Sequence, residues 1–117
     1  MDHPPTLVDP AVLQALHEFR MPDEPDPADE VAQAFVDVMP DRLQCLHAAA
    51  HRDDMAEVRK LAHQVRGSCA AVGAIAMHAI ATQLETAQTP ADIPRLIDQL
   101  EALFDSTRPL LESVEHR

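Results

Sequence analysis

The sequence contains no tryptophan, no tyrosine and only three phenylalanines in 117 residues. Glycine is nearly as scarce, with two, so the tight turns that hairpin-rich β proteins need have little to be built from. The apolar fraction is nonetheless 46%, rich in alanine and leucine, which points to helices. Basic residues are also few: nine Lys and Arg against twenty Asp and Glu, a formal charge of −11. Such a balance argues against nucleic acid as a partner, because phosphate backbones attract cationic surfaces. The two cysteines, Cys45 and Cys69, each fall inside an apolar helical pattern. They are expected as small core residues, not as a disulfide framework. No apolar run approaches the roughly 18–20 residues that span a bilayer, and no charged-then-apolar leader opens the chain. The expectation is a soluble, cytoplasmic domain without direct membrane contact. A Gly-rich phosphate loop, a Gly-x-Ser-x-Gly elbow and a Cys-x-x-Cys pair are all missing, so nothing suggests an enzyme acting on a small molecule.

Proline, by contrast, is plentiful at ten, and much of it marks helix starts. Residues 1–8 read as a disordered lead-in. Asp9-Pro10 then has the form of an N-cap followed by proline at the first helical position. The short helix it opens should turn Val12, Leu13, Leu16 and Phe19 to one side. Asp26-Pro27-Ala28-Asp29 repeats the signal and begins a stripe of Val31, Ala34, Phe35, Val38, Leu43 and Leu46. Pro40 interrupts that stripe and calls for a kink or a fresh start near Met39. A turn at 51–54, with Asp53 or Asp54 as cap, leads into a third helix that ends at Gly73. Ile75 to Gln88 forms the next, with Met77, Ile80, Leu84 and Ala87 inward. Thr89-Pro90-Ala91-Asp92 caps the last, which carries Ile93, Leu96, Ile97, Leu100, Leu103, Phe104, Leu110, Leu111 and Val114. Pro109 should kink or shorten it. Four amphipathic helices with short connections predict an all-α fold, an antiparallel up-down four-helix bundle over residues 9–117 with an additional short N-terminal helix.

The third helix holds the informative stretch. Val58, Leu61, Ala62, Val65, Cys69 and Val72 follow helical spacing, and on the wheel His63 falls roughly 140° from the centre of that stripe. His63 therefore points outward, with Arg59 one turn back, Gln64 beside it, Arg66 and Gly67 one turn on, and Ala70 beyond. Gly67 costs a helix roughly 0.5–1 kcal/mol relative to alanine, and close approach of a partner over a flat surface supplies a reason for it. Arg52, Arg59, Lys60 and Arg66 fall within fifteen positions, a cationic island on an acidic chain. Imidazole is a competent nucleophile at neutral pH. A phosphoryl group on His63 would add close to two negative charges, which Arg66 is placed to offset. His47 and His51 lie four apart, but no third ligand accompanies them in sequence, so no metal site is expected.

The run His63-Gln64-Val65-Arg66-Gly67-Ser68, then Val72-Gly73-Ala74, then Leu84-Glu85, resembles the histidine-containing phosphotransfer (HPt) family. That motif places a basic residue three after the acceptor histidine, a glycine four after, a second glycine ten after, and a Leu-Glu in the following helix. Arg66 stands where the family more often has lysine, keeping the charge and adding donors. The resemblance implies that His63 shuttles a phosphoryl group between aspartates of response-regulator receiver domains, with Arg66 steadying it and Glu85 orienting the imidazole. It implies docking clearance at Gly67 and a docking surface that includes Gln64, Arg59 and Ala70. No cofactor is implied on this chain; Mg²⁺ is expected on the partner receiver. The start Leu7-Val8-Asp9-Pro10-Ala11-Val12-Leu13 is similar to that of modules at the C-terminus of hybrid sensor kinases, whose parents are anchored in the membrane. A free-standing shuttle fits equally. A non-catalytic module that holds another regulated protein through the face around His63 is the alternative reading.

Overall fold

The computed structural model describes residues 6–112, which are helical apart from their connections. Five α-helices follow one another: α1 (Pro10–His17), α2 (Pro27–His51), α3 (Met55–Val72), α4 (Ile75–Thr86) and α5 (Ile93–Glu112), the last preceded by a short 3₁₀ turn at Pro90–Asp92. Each start has a local cause. The Asp9 carboxylate accepts from the Ala11 N–H and the Asp26 carboxylate from Ala28, each with proline next in line. Asp54 caps α3 by accepting from Glu57 N–H at 3.1 Å. Thr89 donates to Asp92 ahead of α5.

The helices touch in a closed order: α2 against α3, α3 against α4, α4 against α5 and α5 back against α2, with α1 laid on α2 and α3. The apolar stripes meet inside that ring. Met39, Leu46, Val58, Val65, Cys69, Met77, Leu84, Ile97 and Leu100 are fully buried there. Phe35 and Phe104 meet across α2 and α5 with ring centroids 6.1 Å apart.

Gly73 ends α3 in a left-handed conformation (φ 75°). Its N–H reaches Ala70 O, and Ala74 N–H reaches back to Cys69 O at 2.9 Å, closing the helix end. The Gly73 carbonyl accepts from Asp9 N–H at 2.8 Å, which fastens the start of α1 to the α3–α4 turn. A Cβ at Gly73 would lie 2.7 Å from Asp9 O. At the other end of α1, His17 contacts the Asp26 carboxylate. Partial burial opposes ionisation of Asp26, but the His17 and Ala28 hydrogen bonds, with the charges of His17 and Arg20, outweigh it and hold its pKa below the ordinary 3.8. That contribution is therefore present at neutral pH and lost as the pH falls through the acid range.

Several expectations change. Helix α1 closes at His17, so Phe19 lies beyond the helical period and is 77% exposed instead of facing inward. Helix α2 runs unbroken through Pro40, without a fresh start; Pro40 sits on the exposed side, where its ring displaces no core packing. Its buried stripe is Ala28, Ala32, Phe35, Val36, Met39, Leu43, Leu46 and Ala49. Ala34 and Val38 fall about 100° to one side of Phe35 and Met39 respectively, and both are exposed. Cys45 is exposed for the same reason, whereas Cys69 is buried. Helix α4 stops at Thr86, two residues short of the expected Gln88. Helix α5 passes Pro109 and reaches Glu112, and Leu110 is 46% exposed. Val114 lies outside the described residues, as does the first part of the lead-in, 1–5; Val8 packs against the core. Among the described residues no helix is long and apolar enough to cross a membrane.

Two outcomes follow from this packing. Gly73→Ala forces a β-carbon into a left-handed position against Asp9 and should cost about 1–3 kcal/mol, read as a lower urea midpoint; an unchanged midpoint would refute the role given to this turn. Burial pushes the Cys69 thiol up to about 12. Native protein should therefore react with a thiol reagent at one cysteine, Cys45, and at both only after denaturation.

Candidate functional site

The six apolar residues of α3 from Val58 to Val72 are all buried, so this helix has no rotational freedom in how it meets the core. Its opposite face is fixed by the same constraint. His63, Gln64, Arg59, Gly67 and Ala70 all lie exposed on it, as the wheel requires. The His63 side chain is 63% exposed.

Helix α4 folds back along α3 from the turn at Gly73 and brings Glu85 to the same level as His63. The Glu85 Oε1 lies 2.8 Å from His63 Nδ1. Arg66 joins both groups: its Nη2 is 3.1 Å from His63 Nδ1 and its Nε 3.0 Å from Glu85 Oε2. The latter is an ionic contact without hydrogen-bond alignment, so this buried carboxylate oxygen has a counter-charge but no aligned donor. One ring nitrogen thus faces both an acceptor and a donor, and a single tautomer can satisfy only one of them. The charge-assisted bond to the carboxylate favours a proton on Nδ1, donated to Glu85. The lone pair then belongs to Nε2, which makes no hydrogen bond among the described residues. An exposed imidazole is left with one nitrogen tethered and the other available as a nucleophile.

The surroundings are open. A Cβ built on Gly67 would meet nothing within 4 Å. No packing inside the chain therefore requires glycine there, and the helix-propensity cost has no internal return. Arg59, Glu85, Thr86, Ala87 and Gln88 border a shallow depression on the α4 side of the histidine. On the other side, Arg42 of α2 donates to Gln64 O at 3.2 Å and to Ser68 Oγ at 2.8 Å. The basic island is thus partly redistributed. Arg52 turns to Asp54 and Arg66 to Glu85, while Arg42 enters from a neighbouring helix. Nothing in the third helix's own sequence signals Arg42, because its partners lie 22 and 26 positions away. Beside it, Val31, Ala34, Phe35, Val38 and Ala71 line an open, mainly apolar groove between α2 and α3.

No curated protein sequence matches the chain. Among solved structures, histidine-containing phosphotransfer protein B (HptB) from Pseudomonas aeruginosa PAO1 is similar, with 29% identity over 94% of this chain and 95% of that one, and a TM-score of 0.83. A family model described as the Hpt domain matches residues 30–108, from the first turn of α2 to near the end of α5, and thereby covers the helices that carry His63, Arg66 and Glu85. A match over that much of the sequence, joined to an exposed histidine on the face turned away from the core, places this chain in the Hpt domain family.

Proposed function

We propose that His63 is the phosphoacceptor through which this Hpt domain serves as a histidine phosphotransfer module in a phosphorelay. The observation that carries the assignment is the tether of His63 Nδ1 to Glu85 on an otherwise exposed ring. With Nδ1 protonated, the Nε2 lone pair attacks the phosphorus of an aspartyl phosphate on a receiver domain. The Nε2–P bond forms as the P–O bond breaks, and the aspartate carboxylate leaves with the electron pair. No proton has to leave Nε2, because the attacking tautomer carries none there. The imidazole becomes cationic, and Glu85, already accepting from Nδ1, offsets that charge. Arg66 offsets the phosphoryl charge, for which its guanidinium turns from Glu85. Transfer onward reverses these steps at a second receiver.

In this reading the chain is a carrier without catalytic activity of its own, and the Mg²⁺ needed for the reaction belongs to the receiver. Its place is in the cytoplasm, either free or as the last module of a membrane-anchored hybrid sensor kinase. The fold that presents the site is a single domain over residues 9–117, an antiparallel up-down four-helix bundle with a short additional helix. Support comes from the ring of contacts α2–α3–α4–α5 and the short connections between neighbours. Gly67 gives clearance, and Gln64, Arg59 and Ala70 form the surface on which the receiver sits.

His63→Gln should abolish loading of phosphate from a phosphorylated receiver while leaving the helical content unchanged; radiolabel on that variant would contradict the assignment. Gly67 separates stability from docking. Gly67→Ala should raise stability by about 0.5–1 kcal/mol, since nothing lies near its Cβ. Gly67→Arg should leave the fold intact and slow transfer at least tenfold; a normal transfer rate would remove the clearance argument.

A further inference from the structure

A second cluster of chemistry-bearing side chains lies away from His63, where α2 packs against α5. His47, in the C-terminal half of α2, places Nε2 3.3 Å from Oε2 of Glu101 on α5. Asp98, one turn earlier on α5, has a carboxylate oxygen within 4.8 Å of both ligand atoms. In sequence His47 and His51 stood as a pair with no third partner; the fold replaces His51 with two carboxylates from another helix. We propose that His47, Asp98 and Glu101 form a binding site for a divalent transition-metal ion, with Zn²⁺ the best match.

Donor atoms bound tetrahedrally to Zn²⁺ at about 2.0–2.2 Å lie about 3.3–3.5 Å apart. The His47–Glu101 pair already has that separation. Asp98 must close by at most about an ångström and a half, which an exposed side chain does by a change of rotamer. One imidazole nitrogen and two carboxylate oxygens suit Zn²⁺, Ni²⁺ or Cu²⁺ better than Ca²⁺ or Mg²⁺, which take oxygen ligands. The chain carries a formal charge of −11, which raises the local concentration of cations. Coordination replaces the Nε2 proton, which goes to solvent, and the metal keeps at least one open position for water. Because the ligands come from two helices distant in sequence, the bound ion staples α2 to α5 and stabilises the folded chain.

The test uses metal-free full-length protein titrated with Zn²⁺ alone, followed by calorimetry and thermal denaturation. Binding of one equivalent with a rise in melting temperature is expected. His47→Ala and the double variant Asp98→Asn/Glu101→Gln should each weaken binding at least tenfold and remove the rise, with helical content unchanged. His51→Ala, His78→Ala and His63→Gln should bind as the parent does. The last of these separates this site from the phosphotransfer site, whose assignment stands or falls independently. Absence of Zn²⁺ binding, binding undiminished in His47→Ala, or an equal loss in His51→Ala, His78→Ala or His63→Gln would overturn the proposal and leave His47 and Glu101 as a surface ion pair.

Discussion

The left-handed turn at Gly73 is the constraint on which the arrangement depends. It closes α3, starts α4 two residues later, and accepts the hydrogen bond that anchors the start of α1. His63 lies ten residues before it and Glu85 twelve after, so at 1.5 Å per residue they stand about 15 and 18 Å from the turn. The two side chains therefore meet only because the helices reverse at this point and with this phase. A longer or differently twisted connection would rotate α4 and carry Glu85 away. Only glycine meets the demand without strain, because the position needs a positive φ and the Asp9 carbonyl occupies the space of a side chain.

The two glycines of the chain serve opposite ends. Gly73 is enclosed, and its missing side chain makes room for the chain's own backbone. Gly67 faces open space, and its missing side chain leaves a flat surface beside His63, as the proposed docking of a receiver requires. Between them runs a face on which His63 is held at one nitrogen and left open at the other. The same Glu85 carboxylate that holds the ring also engages Arg66, so the guanidinium proposed to meet the phosphoryl charge is kept nearby without contacting Nε2. Ring orientation and charge supply thus share one residue.

The face of α3 was fully legible from its residues. Six apolar positions at helical spacing leave one way to bury the helix, and they fix His63, Arg59, Gln64, Gly67 and Ala70 outward at once. The caps at Asp9, Asp26 and Asp54 were legible for a similar reason, since their chemistry is local; Thr89 instead makes no side-chain cap, and a 3₁₀ turn precedes α5. What could not be read was whatever depends on a second helix. Arg42 reaches the α3 backbone from α2, and the carboxylates beside His47 come from α5. Nor does periodicity alone pair Glu85 with His63; that came from the family motif. Alanine and valine at 34 and 38 were misplaced because a helix with apolar residues on several sides does not announce which stripe its neighbours will cover. Phe19 was misplaced because one turn more of helix would have brought it inward, and α1 stops first.

The proposed transfer depends on a single nitrogen, Nε2 of His63. The direct test is nuclear magnetic resonance of ¹⁵N-histidine-labelled protein loaded with phosphate by a phosphorylated receiver, using phosphorus–nitrogen couplings to locate the bond. Phosphorus is expected on Nε2 of His63, with the Nδ1 proton retained and lost to exchange more quickly in Glu85→Ala. Phosphorus on Nδ1 of His63, or on any other histidine, would contradict the proposal.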